Sequence, residues 1–236
     1  MSVAAVLVWD LDGTLYRSEE ACRHYARGIA ATLDRDRRSA YLEALDRYLA
    51  GEGGVEASDG WEAAVVLAGG PRASRAFPEA FARTREFMVT DACRLDVPEG
   101  LSAFLVGIAP VARRVLVSNT PTFGVLPLLA RLELLDRFDE IVCDANKPSG
   151  LSVRLCALAE MYGLERDSVL SIGDHFVNDI EPALAVGCAT AYLDPFRVGP
   201  RDRATLEAAR FEDLLDAVSG WVDERAERLE PVEATS

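Results

Sequence analysis

The sequence predicts an α/β protein: an open parallel sheet with helices on both faces, plus a small all-helical domain inserted after the first strand. Three observations lead there. Short runs rich in Val, Ile, Leu and Ala recur along the chain without polar alternation, as strands covered on both faces do. Amphipathic helical patterns lie between the later runs, and strand alternating with helix implies parallel pairing through right-handed crossovers. The first connection departs from this rhythm. Roughly 80 residues separate Thr14 from Val97, far more than a crossover requires.

The first strand is "AAVLVWD", ending at Asp10. The insert follows with four helical stretches: "EEACRHYARGIAATL", "RRSAYLEALDRYLA", "WEAAVVLAG" and "SRAFPEAFARTREFMV", the second and third separated by Gly-rich "AGEGGVEASDG". The second strand, "RRVLVSN", ends at Asn119 and is followed by the helix "TFGVLPLLARLELL". The third, "DEIVCDANK", runs to Lys147 and is followed by "GLSVRLCALAEMYG". The fourth, "SVLSIGD", ends at Asp174, before a short helix "DIEPALAVG" with Asn178 or Asp179 as its N-cap, Pro182 in its first turn and Gly187 as its stop. A fifth, "CATAYLD", ends at Asp194. The expected organisation is a core of residues 1–15 and 97–223, a helical insert of 16–96 over the carboxyl edge of the sheet, and a flexible acidic tail of 224–236.

Composition narrows the function. A formal charge of -14 argues against a partner held through a nucleic-acid backbone, yet a metal and one or two cations can still attract a small phosphorylated ligand. No apolar run approaches the about 20 residues that cross a bilayer, and no signal peptide is evident. The five cysteines (Cys22, Cys93, Cys143, Cys156, Cys188) show no CxxC spacing. They read as reduced thiols in a cytoplasmic protein. Of 25 basic residues, all but Lys147 are arginine, so a compact ammonium is expected to matter there.

Each main run ends in a chemically able group: Asp10 and Asp12, then Ser118 and Asn119, then Lys147, then Asp174. Carboxyl ends of parallel strands share one edge, so residues more than 100 positions apart should converge there. Two carboxylates spaced as Asp10 and Asp12 repel each other unless something positive sits between them. Carboxylates with an amine and a hydroxyl suit magnesium-assisted phosphoryl transfer, since Mg²⁺ prefers one or two carboxylates, water and substrate phosphate. Blander roles compete: Asp10 and Asp12 as turn formers, Asp179 as a helix cap, Lys147 as a solvated loop cation. His175 is expected at the site edge. Trp9 and Trp61 are expected in packing, with Trp61 able to face the cleft. His24, Arg23 and Arg27 are expected on a solvated or packed helix face.

"DLDGTLY", "SNT", "NKP" and "GDHFVND" resemble, in order, the four motifs of the haloacid dehalogenase-like superfamily, in its phosphatase branch. The resemblance spans Asp10 to Asp179 and implies a Rossmann-like core. The long insert stands where that family places a helical cap of the C1 type. By the resemblance, Asp10 is the nucleophile that forms an aspartyl-phosphate, and Asp12 is the general acid and base. Asp10, Asp174 and the Asp12 backbone carbonyl would hold Mg²⁺. Ser118, Asn119 and Lys147 would bind the phosphoryl group, while Asp179 and Thr14 would support the site from behind.

The dehalogenase branch of that family lacks the acid two residues after the nucleophile, so Asp12 implies phosphoryl chemistry. A branch that cleaves carbon–phosphorus bonds needs a lysine in the cap, and the insert has none. Two departures bear on the substrate: Tyr16 and Arg17 follow "DGTL" where many members carry an acid, and "KPSGLS" lacks the second proline of "KPxP". The expected activity is Mg²⁺-dependent hydrolysis of a small phosphomonoester, with no nucleic-acid or membrane partner. A phosphomutase, or a non-catalytic phosphoryl-ligand-binding protein of the same fold, is the alternative.

Overall fold

In the computed structural model, which describes residues 3–69, 76–195, 197, 199, 200 and 202–228, the five apolar runs and one further short segment pair as six parallel strands. These are β1 (Ala5–Trp9), β2 (Ala112–Val117), β3 (Glu140–Val142), β4 (Val169–Gly173), β5 (Ala189–Leu193) and β6 (Leu206–Ala208), in the order β3-β2-β1-β4-β5-β6. The order reverses direction beside β1, so the crossovers on its two sides leave a crevice at its carboxyl end.

Period-two alternation decides which face each strand residue covers. Ala5, Leu7 and Trp9 of β1 pack into one core with Leu116, Leu170 and Ile172. That core is closed by α5 (Leu101–Ile108), α6 (Thr122–Arg131) and α9 (Phe211–Glu227). Val6 and Val8 face the other way, with Val115, Val117 and Val169, beneath α7 (Ser149–Tyr162) and α8 (Glu181–Ala185). Each of the five β1 side chains is buried, as expected of a central strand covered twice.

Between β1 and α5 lie α1 (Glu19–Ala30), α2 (Arg35–Leu49), α3 (Gly60–Leu67) and α4 (Ala76–Met88). Ser18 caps α1 through its side chain, accepting from the Ala21 amide, with Glu19 and Glu20 in the first turn complementing the helix dipole. The four helices share a core of their own, built on Tyr25, Ile29, Tyr41, Leu45, Tyr48 and Ala80. The two chain segments that join insert and core run side by side. The Arg17 amide donates to the Asp96 carbonyl at 2.9 Å, and the Asp96 amide to the Arg17 carbonyl at 2.8 Å.

Several expected boundaries move. β3 stops at Val142, because Asp144 (φ 51°) and Asn146 (φ 53°) take left-handed backbone, which short polar side chains tolerate. Lys147 therefore stands on a loop beyond the strand. Neither Asn178 nor Asp179 caps α8. They lie within a π turn, Phe176–Ile180, where the His175 side chain accepts from the Asn178 amide. β6 and α5 were not anticipated: β6 is a three-residue edge strand, and neither was singled out among the sequence patterns. The acidic stretch expected to fray from residue 224 is helical through Glu227, with Arg225 buried. The rest of that predicted tail from residue 229, and Ser74 and Arg75 at the start of the fourth insert helix, lie outside the described residues.

Candidate active site

The Asp10 amide still donates to the Ile172 carbonyl, at 2.9 Å, so its side chain leaves the sheet edge at a fixed point. Gly13 then turns the chain with φ 87°. A Cβ on Gly13 would lie 1.8 Å from Asp174 Oδ2, so only glycine leaves room for that carboxylate. Lys147 Nζ lies between two acids, donating to Asp10 Oδ1 at 2.5 Å and Asp179 Oδ1 at 2.6 Å. The π turn aims Asp179 back at the site, where its other oxygen accepts from the His175 amide at 3.1 Å.

Asp10, Asp174 and Asp179 bring carboxylate oxygens within 4.8 Å of one another. Burial raises Asp10 to about 7, against the attraction of Lys147. Burial also pushes Asp174 well up, with Asp10 adding to the rise. Lys147 stays charged: burial opposes its ammonium form, but Asp10 and Asp179 together raise it above the usual lysine value. Two buried acids and the half-buried Asp10 against one ammonium, with no donor found on the Asp174 carboxylate among the described residues, form a donor set suited to a hard divalent cation. The space kept open by Gly13 fits the same reading.

Asp12 faces a different set of partners. Its Oδ2 accepts from Arg85 Nη2 at 2.6 Å and Thr120 Oγ1 at 2.9 Å, and its Oδ1 accepts from the Tyr16 hydroxyl. Arg85 Nη1 also reaches the Tyr16 hydroxyl at 3.1 Å, closing the network. Burial works to raise Asp12, yet the Arg85 guanidinium and three hydrogen bonds hold it below the usual carboxylate range.

Other expected residues are placed as follows. Ser118 is buried, its Oγ accepting from the Thr120 amide at 3.1 Å. Asn119 is expected at the phosphoryl group through its backbone amide, and its side chain has a separate task. Its Oδ1 accepts from the Lys147 amide at 2.6 Å and its Nδ2 donates to the Lys147 carbonyl at 3.1 Å. It holds the loop that carries the ammonium. Thr14 is buried and its hydroxyl has no partner among the described residues, so it shares no hydrogen bond with the acids. His175 lines the site, with Nε2 3.7 Å from Glu62 Oε2. His24 stacks on Phe87 and meets the Thr84 hydroxyl at 2.8 Å, while Arg23 pairs with Glu19 and Asp46 on the outer face. The cysteines are free thiols, three of them buried.

Arg85 was not anticipated. The signal was its position: it lies four residues after Phe81 and three before Met88, on the inward stripe of α4, whereas Glu79, Arg83 and Glu86 face out. A lone arginine in an apolar stripe needs a buried partner. Thr120, the last residue of "SNT", was quoted but given no role.

Core and insert enclose a cavity of about 510 Å³. Asp10, Asp12, Ser118 and Lys147 line it from the sheet edge; Trp61 and Phe81 line it from the insert. Residues 4–187 match the haloacid dehalogenase-like hydrolase family. The chain belongs to that family. No curated protein matches it. Among solved structures, the HAD-hydrolase YfnB of Bacillus subtilis, bound to magnesium, aligns at TM-score 0.60 with 16% identity, over 92% of this chain and 99% of that one. A predicted phosphoglycolate phosphatase from Haemophilus somnus aligns at 0.60 and 20%, over 91% and 97%. A 2-haloacid dehalogenase from Pseudomonas syringae aligns at 0.52 and 15%, over 94% and 100%. At these identities the likeness concerns the fold. Among the described residues of this hydrolase, no helix is long and apolar enough to cross a membrane.

Proposed function

We propose that this haloacid dehalogenase-like hydrolase is a Mg²⁺-dependent phosphatase acting on a small phosphomonoester in the cytoplasm. One observation carries the reading: Asp12 lines the same cavity as Asp10, Ser118 and Lys147. A second acid there has work only if a leaving oxygen must be protonated, which expulsion of a halide does not require.

Asp10 attacks phosphorus, the ester P–O bond breaks, and the departing oxygen takes a proton from Asp12. Asp12 then removes a proton from the water that releases phosphate from Asp10. Asp12 is ionised in this network, so before it can donate it must take up a proton from solvent, giving up part of its contact with Arg85, Tyr16 and Thr120, since all three now donate to it. Lys147 keeps Asp10 in place and offsets charge gathered at the phosphoryl oxygens. Asp10 and Asp174 would hold Mg²⁺ with the Asp12 backbone carbonyl, and Asp179, behind Lys147, completes the acidic cluster. When bound, the metal supplies positive charge to the carboxylates and the phosphoryl oxygens. The helical insert acts as a cap over this chemistry.

The test is phosphate release from a panel of sugar phosphates, nucleotides and phosphoglycolate, with Mg²⁺ or with EDTA. Release that needs Mg²⁺ and is abolished in Asp10→Asn supports the reading. No release from any substrate, or equal release by Asp10→Asn, overturns it.

A further inference from the structure

We propose that the leaving group of the substrate carries a positive charge, so that the cavity takes the phosphomonoester of an alkylammonium alcohol and not one whose leaving group bears a carboxylate. This rests on the phosphatase reading above and names the substrate class for it.

The insert builds one side of the cavity. Tyr25, Trp61 and Phe81 line it and pack on one another, with ring centroids 5.3 Å (Tyr25–Trp61), 6.3 Å (Tyr25–Phe81) and 5.9 Å (Trp61–Phe81) apart. The negative faces of aromatic rings attract cations, and clustered rings are how alkylammonium groups are recognised. This wall already carries one cation of the protein. The Arg85 guanidinium carbon lies 5.1 Å from the Trp61 ring centroid and 4.7 Å from that of Phe81.

Charge points the same way. Asp59 and Glu62, at the start of α3, line the cavity beside those rings. Each accepts a backbone hydrogen bond, Asp59 from the Glu62 amide at 2.7 Å and Glu62 from the Ser58 amide at 2.7 Å, which fixes their positions; burial raises Asp59 above the usual carboxylate range, and a cation seated beside it would favour its ionised form. The cavity's two full cations are committed: Lys147 to Asp10 and Asp179, Arg85 to Asp12. His175, 3.7 Å from Glu62, is the remaining basic group among the lining residues described. A carboxylate on the leaving group would meet two acids and ring faces; an ammonium would find both favourable, and its alkyl groups would cover Val65 and the rings.

Phosphocholine and phosphoglycolate, both small, test this as a pair differing in the sign of the distal charge. Hydrolysis by the wild-type protein with Mg²⁺ should favour phosphocholine at least about tenfold in kcat/KM, the factor expected of one partly desolvated cation–π and ion contact. Glu62→Gln, which keeps the hydrogen bond from Ser58, should shrink that preference several-fold by slowing phosphocholine and easing phosphoglycolate. In parallel, Asp10→Asn with Mg²⁺ should show a larger rise in Tm with phosphocholine than with phosphoglycolate at equal concentration. That arm separates the two readings: preferential stabilisation without hydrolysis by the wild type keeps the ligand class and sinks the phosphatase. Equal or better use of phosphoglycolate, a preference untouched by Glu62→Gln, or failure of phosphocholine to raise Tm overturns the inference.

Discussion

Replacing Arg85 with methionine tests whether the insert and core are joined through Asp12. The substitution keeps an unbranched apolar stem in the same inward position but removes the guanidinium. Three hydrogen bonds go with it, to Asp12, Tyr16 and Thr120, together with the stacking on Trp61 and Phe81. The Arg85 side chain is 2% exposed and that of Asp12 18%, so the stranded carboxylate gains little water. Removing one partner of a buried ion pair costs about 3–5 kcal/mol. Asp12 retains Tyr16 and Thr120, which places the loss near 3 kcal/mol, a fall in Tm of roughly 6–12 °C for a chain of this size. Arg85→Lys should recover less than half, because one ammonium cannot replace a fork that serves three groups. Thermal and urea unfolding of wild type, Arg85→Met, Asp12→Asn and the double variant complete a cycle, with a coupling of about 2 kcal/mol expected. A fall in Tm under about 2 °C, or strictly additive single effects, would refute the buried-pair argument.

Gly13→Ala should abolish the rise in Tm produced by Mg²⁺ and cost at least about 1–2 kcal/mol, since its Cβ would displace Asp174 from a backbone already at positive φ; an intact Mg²⁺ response counts against the assigned metal site. Lys147→Arg should lower kcat at least about 100-fold with little change in net charge, because the site between Asp10 and Asp179 holds a point charge and not a planar fork. Asp10, raised to about 7 by burial, and Asp174, raised likewise, hold protons in the folded state that the unfolded chain releases above 3.8. The stability that Asp10 contributes is therefore full below that value and is lost as pH rises through about 7, and that of Asp174 is lost as pH rises through its own raised value. Added Mg²⁺ binds the ionised form, so its effect on Tm should grow between about pH 5 and 8; melts with Mg²⁺ and with EDTA across that range check this, and a constant effect contradicts it.

How much of this was legible depends on how each group is fixed. Asp10, Ser118 and Asp174 follow strands whose apolar runs are plain, and parallel pairing brings strand ends to one edge, so their convergence could be read in advance. Lys147 could be read from its chemistry but not its placement: β3 ends early, and the Asn119 amide pins the loop by hydrogen bonds that no periodicity displays. Asp179 reads both as an acid supporting the site and as a helix cap, because Asn and Asp cap helices; a π turn removes the cap and directs it at Lys147. Arg85 escaped because its partner lies 73 residues away, and helix periodicity says which face a residue occupies without saying what that face meets. The aromatic wall shares this difficulty, since Tyr25, Trp61 and Phe81 come from three helices whose packing is set by their own core.

The central claim is that Asp10 is the nucleophile, and covalent trapping tests it most directly. The enzyme is mixed with Mg²⁺ and a substrate it hydrolyses, quenched in acid within the first turnovers, and mapped by peptide mass. One phosphoryl group is expected on the peptide that contains Asp10, and none in Asp10→Asn. Steady phosphate release with no phosphorylated peptide, persisting in Asp10→Asn, would contradict it.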